Sequence, residues 1–185
     1  TEHLTELKES NKQVMSFTDQ LQSLQDILKN PKQRGILGEY YLETLLKNIA
    51  KHNAERMFEV LKSQPEPLST CLINNHKTLS ILAEAVSRVT KANVAEVSKV
   101  IFTEALLKNI IEKSERVKAL LRFVTNSAAM SEVQDVIKSK GAVIIGAMVP
   151  TVGEHKAGVV KLLSNKNIAD AVAGRLDQDD DLVVD

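Results

Sequence analysis

What most constrains the fold is the spacing of aliphatic side chains. Near the start, Leu7, Val14, Phe17, Leu21, Leu24 and Leu28 recur three, four or seven residues apart, with Gln, Lys, Asp and Ser between them. A period near 3.6 gathers such residues on one stripe of a helix, whereas a strand needs a period of two. The stripe approaches a heptad seam and predicts one helix over residues 1–30. The same spacing returns in Leu106, Leu107, Ile110, Ile111, Val117, Leu120 and Leu121. Aromatic residues are only 3% of the chain and Trp is absent, so the core must be built from Leu, Ile, Val and Ala. Such cores are typical of helix bundles and helical repeats. With 43% hydrophobic residues in 185, the chain can bury a sizeable core as one ordinary domain or two small ones.

Prolines and glycines divide the stripe into elements. Asn30-Pro31 ends the first helix, because the residue before proline is pushed out of the helical region. Lys32-Gln33-Arg34-Gly35 then reads as a turn, with Gly35 supplying a positive φ. A second helix over 36–62 completes an antiparallel hairpin. Pro65-Glu66-Pro67 is the clearest break and favours extended backbone. It separates a hairpin, residues 1–64, from a bundle or irregular array of about six helices, residues 65–176. Residues 177–185, with five Asp, read as a frayed acidic tail.

Within the array, helices are predicted over 68–90, 94–112, 114–124, 127–138, 154–163 and 168–176. Asn93 and Glu96 fit a capping box, Gly141 a C-cap, and Asn167 can cap the last helix. Residues 142–152 have strand-like Val143, Ile144, Ile145 and Val149, bounded by Pro150 and Gly153. No other segment looks like a strand to pair with, so this stretch reads as a buried helix interrupted by Gly146. The fold class is all-α: a helical hairpin followed by a helical bundle or irregular array. No fixed period argues for a solenoid.

Composition also bounds function. Lys plus Arg equals Asp plus Glu, 24 each, so net charge does not indicate a nucleic-acid partner, although a local patch remains open. Base-stacking surfaces need exposed rings, and four Phe with two Tyr make them hard to build. A single cysteine, Cys71, fits a reducing compartment such as the cytoplasm and reads as a small buried apolar residue. No run of about 18 apolar residues suggests a membrane span, and Thr1-Glu2-His3-Leu4 lacks the pattern of a signal peptide. His3, His52, His76 and His155 are scattered, without metal-ligand spacing. Phosphate-cradling and nucleophile-elbow glycine motifs do not occur. Asp177, Asp179, Asp180 and Asp181 lack the glycine and distal Glu of a calcium loop. No catalytic, cofactor-binding or metal-binding set is read.

The strongest local signal is FTDQLQSLQDILKNPKQRGILGEYYLETLLKN, Phe17 to Asn48. It resembles the DNA recombination protein RmuC family, in which a coiled-coil helix leads into a K-Q-R-G-x-x-G-E turn and an L-E-x-x-L helix. The matching residues are Lys32, Gln33, Arg34, Gly35, Gly38, Glu39, Leu42, Glu43 and Leu46. The resemblance implies a nuclease-like α/β domain further on, with an Asp and a D/E-x-K on adjacent strands binding Mg²⁺. This chain departs from that pattern and continues through a polar, helical Ala50-Lys51-His52-Asn53. Glu154-His155-Lys156 is the only later candidate for such a triplet, and Asp135 lies on a predicted helix.

The leading expectation is a non-enzymatic interaction or scaffold protein. Leu7, Val14, Phe17, Leu21, Leu24 and Leu28 would be its seam for a protein partner or for self-association. The alternative is an RmuC-like protein of DNA recombination, nuclease-associated, with Lys29, Lys32 and Arg34 facing phosphate. A designed or chimeric helical protein without natural activity fits the same features.

Overall fold

In the computed structural model, which describes residues 2–63, 65–74 and 77–180, the chain is all-α: 91% helical with no strand among the described residues. Helices α1 (Glu2–Lys29) and α2 (Pro31–Lys62) form the opening hairpin. They are followed by α3 (Pro65–Asn74), α4 (Lys77–Ala85), a single 3-10 turn (Val86–Arg88), α5 (Lys91–Ile101) and α6 (Glu104–Ile111). The array closes with α7 (Ser114–Ser127), α8 (Ser131–Ser139), α9 (Gly141–Leu163) and α10 (Lys166–Asp180). Among the described residues, eight α-helices thus begin at or after Pro65, where about six are expected from the pattern. The expected helices 68–90 and 94–112 each divide in two, the second where Phe102 leaves helical geometry (φ −84, ψ 59).

The hairpin turn is tighter than the sequence suggests. Asn30 is extended, and its side-chain oxygen accepts the N–H groups of Lys32 at 3.0 Å and Gln33 at 3.4 Å. Pro31 then takes the first helical position, where its missing N–H costs nothing. Lys32, Gln33, Arg34 and Gly35 therefore form the opening of α2 instead of a turn. The positive φ belongs to Gly38 (φ 62, ψ 165), not Gly35. A second kink follows at Asn53 (φ −153, ψ 76), whose side chain accepts the Arg56 N–H at 3.0 Å and restarts the helix.

Other boundaries move for equally local reasons. Pro65 and Pro67 sit within α3, at its start, and not in extended backbone. Thr90, not Asn93, precedes α5, and Asn93 is buried. Gly141 opens α9 instead of closing α8. Asn165, not Asn167, caps α10, accepting the N–H groups of Asn167 and Ile168 at 3.1 and 3.3 Å. Residues 142–152 are helical, and α9 runs on through Gly146 and Pro150, bending at His155 (φ −123, ψ 37). Helix α10 continues through Asp180, so the tail's first four residues are helical, and 181–185 lie outside the described residues.

One cluster of buried apolar side chains runs from Leu24 to Ala171, on both sides of Pro65. Helix α2 lies at its centre and packs against α1, α3, α4 and α5, while α4 pairs with α7, α6 with α9, and α8 with α5 and α10. The buried face of α2 carries Leu42, Leu45, Leu46, Ile49, Ala50, Ala54, Met57, Phe58 and Leu61. Burying each large member contributes about 1.5–3 kcal/mol. Cys71 is buried beside Thr78, with its sulfur 3.3 Å from the hydroxyl. No single helix among the described residues is long and apolar enough to cross a membrane.

Candidate nucleic-acid interface

The core takes one side of α2 and leaves the other to solvent. Tyr40, Thr44, Lys47 and Lys51 are all exposed. At 3.6 residues per turn these four fall within about 60° of one another. Tyr40 is 82% exposed and Tyr41 beside it 45%, so both rings stand in water just after the Gly38 kink.

Glu43 borders this face and gathers cations to it. Its carboxylate accepts from Lys47 Nζ at 2.6 Å, one turn along α2, and from Lys77 Nζ at 2.8 Å, on α4. Those two bonds hold the Glu43 carboxyl below its ordinary range, and the carboxylate in turn raises Lys47. Glu43 belongs to the L-E-x-x-L motif, and its flanking Leu42 and Leu46 are buried. In this chain the motif is therefore a packing device that ties α4 to α2.

Two turns along, an Arg88 guanidinium N–H donates to the Lys51 carbonyl at 3.2 Å. Lys47, Lys51 and Arg88, together with Ala50, Ile81 and Glu84, line a concavity of about 190 Å³. Arg122 reaches Glu84 at 3.4 Å. The face thus brings Lys47, Lys51, Lys77, Arg88 and Arg122 together with Glu43 and Glu84. Net neutrality of the whole chain conceals this local excess.

The residues singled out from sequence fall elsewhere. Lys29 and Lys32 are exposed at the hairpin turn, where Lys29, Asp26, Asn30, Pro31 and Gln33 surround a concavity of about 390 Å³. The side chain of Arg34 lies outside the described residues, as do those of Leu7 and Val14. Of the proposed seam, Leu24 and Leu28 are buried in this chain's own core, and Phe17 and Leu21 are half-buried against it. A partner helix cannot reach Leu24 or Leu28 without displacing that core.

Glu154 and Lys156 are exposed on α9, and Asp135 is exposed on α8. The strands on which a D/E-x-K arrangement depends are absent among the described residues. Nor does any group of three or more His, Cys, Asp and Glu among them have the arrangement to hold a metal ion.

Tyr40 and Tyr41 read from sequence as apolar positions of the second helix, yet both are exposed, and Lys47, Lys51, Lys77, Arg88 and Arg122 were missed. Lys47 and Lys51 had a usable signal: the polar phase of α2, counted at helical spacing from Tyr40. Arg88 had none, because it is 37 residues from Lys51 and arrives only through the packing of α4 on α2.

Fold and surface together define a class: a helical protein whose central helix exposes Tyr40, Tyr41, Lys47 and Lys51. The family model described as RmuC family matches residues 1–67, rather more than a third of the chain. The match extends the motif-bearing stretch in both directions and contains Tyr40, Lys47 and Lys51, while Lys77 and Arg88 lie beyond it. Neither a curated protein nor a solved structure matches the chain.

Proposed function

We propose that the chain serves DNA recombination as a non-catalytic helical module that holds nucleic acid on the exposed face of α2. One observation carries this reading: Tyr40, Tyr41, Lys47 and Lys51, the part of the cation-bearing face that lies on α2, fall within the segment that matches the RmuC family. Lys47, Lys51 and Arg88 would neutralise phosphates along the face, releasing counterions, while Lys29, Lys32 and Arg34 extend the contact at the hairpin turn. Glu43 acts as an organiser, fixing Lys47 and Lys77 where flexible side chains would otherwise lose entropy on binding.

Fluorescence anisotropy with a labelled oligonucleotide tests it across a salt series. Affinity should fall with salt, and neutralising Lys51 and Arg88 to Gln should flatten the log–log slope by about 1.4, the value for two single-strand phosphates. Replacing Arg34 with Ala should weaken binding as well. An affinity indifferent to salt and to all three substitutions would sink the reading.

A second reading, protein interaction, has its own observation. Val149, Val152, Val160 and Leu163 stand exposed along α9, between 36% and 66%. Exposed apolar stripes mark protein interfaces. If α9 carries self-association, light scattering should give an oligomer that Val149→Asp with Val160→Asp returns to monomer. A monomeric parent chain would remove self-association from this reading.

A further inference from the structure

The fold treats its phenylalanines and tyrosines differently. Phe58, Phe102 and Phe123 are fully buried and Phe17 is half-buried against the core, whereas Tyr40 and Tyr41, the chain's only tyrosines, stand together on α2. An 82% exposed ring contributes almost nothing to folding, so packing does not account for its place. Cations share its side of the helix. Lys47 and Lys51 follow Tyr40 by seven and eleven residues, two and three turns along the same exposed face. Rings beside a row of cations make the surface that single strands require: bases stack on π-faces while phosphates meet ammonium and guanidinium groups. A duplex cannot use such rings, because its bases are stacked on one another and offer only their edges.

We infer that the face formed by Tyr40, Tyr41, Lys47, Lys51 and Arg88 binds single-stranded DNA in preference to duplex. The inference rests on the nucleic-acid reading above and adds the state of the strand to it. Lys47 and Lys51 give charge attraction to either form, whereas Tyr40 and Tyr41 give attraction only to unpaired bases. The preference is therefore held by residues different from those that hold affinity in general.

The composition supplies the probe. Without Trp, and with both tyrosines on this face, the intrinsic ultraviolet emission of the full chain reports this site alone. Titration with a dT oligonucleotide of about 20 nucleotides should quench that emission, and Tyr40→Ala should weaken dT binding roughly 5- to 100-fold while Tyr40→Phe restores it. A blunt hairpin duplex should bind more weakly, at an affinity Tyr40→Ala leaves unchanged. Circular dichroism should show the variant's helix intact, since the replaced ring is outside the core. If dT binding is insensitive to Tyr40→Ala but falls with Lys51→Gln and Arg88→Gln, the single-strand preference is wrong and the nucleic-acid reading survives. If neither oligonucleotide binds, both are wrong.

Discussion

Gly38 and Gly35 sit three residues apart in one motif, and only one of them needs to be glycine. Gly38 has φ 62 and ψ 165, a region closed to residues with a Cβ. Gly35 has no positive φ and open space where a Cβ would go. Gly38→Ala should therefore destabilise by about 1–3 kcal/mol, and Gly35→Ala should be neutral or stabilising by up to about 1 kcal/mol. Urea melts of the two variants check this directly. Glu43 gives the second residue-scale prediction. Its bonds with Lys47 and Lys77 lower its folded pKa, so its contribution is fully present above the unfolded value, about pH 4.3, and is lost as pH falls through the folded value. Melting temperature should fall on acidification through and below that point. Glu43→Gln should start lower at pH 7 and show a flatter acid limb; an identical acid limb would refute the assignment.

At the scale of elements, α2 and α5 are joined by a partly buried polar junction that no local capping rule foresees. Glu55 on α2 accepts the Thr90 N–H at 2.6 Å and the Thr90 hydroxyl at 2.7 Å. Asn93 also donates to Glu55 and accepts from Lys62. Burial pushes the Glu55 carboxyl up, but the Thr90 and Asn93 hydrogen bonds outweigh it and hold the group below its ordinary range. Glu55 thus caps α5 from another helix, leaving Asn93 to reinforce the link. The same logic governs α1, whose Leu24, Ile27 and Leu28 are core residues. Leu24→Ala should cost about 2–5 kcal/mol, as buried leucines do elsewhere. A melt of that variant matching the parent's would mean that α1 does not dock where the fold places it.

For the whole molecule, the decisive feature is that α2 serves the hairpin and the array at once. It pairs with α1 on one side and with α4 and α5 on the other, and Leu61 and Leu68 are fully buried on either side of Pro65. Heating should give one cooperative transition, with calorimetric and van't Hoff enthalpies equal. Two resolved transitions, one for residues 1–64 and one for the rest, would show that the halves fold apart. The same packing builds the candidate interface, because α4 brings Lys77 to Glu43 and the turn after it brings Arg88 beside Lys51.

The sequence by itself determined the fold class and the two opening helices. Helical periodicity is a local property, written in each stretch by the spacing of Leu7 through Leu28 and Leu106 through Leu121. The RmuC-like motif was legible for the same reason, since its residues are contiguous. Helix ends were less so. Asn165 takes a start that Asn167 could also claim, and Thr90 takes the start of α5 because Glu55 on the distant α2 accepts its N–H. Whether a stripe faces a partner or the chain's own core was not local at all: Leu24 and Leu28 read as a seam and proved to be core. Only tertiary packing decided which rings stay in water and which cations from distant helices meet beside them, because those choices are made by what covers the rest of the surface.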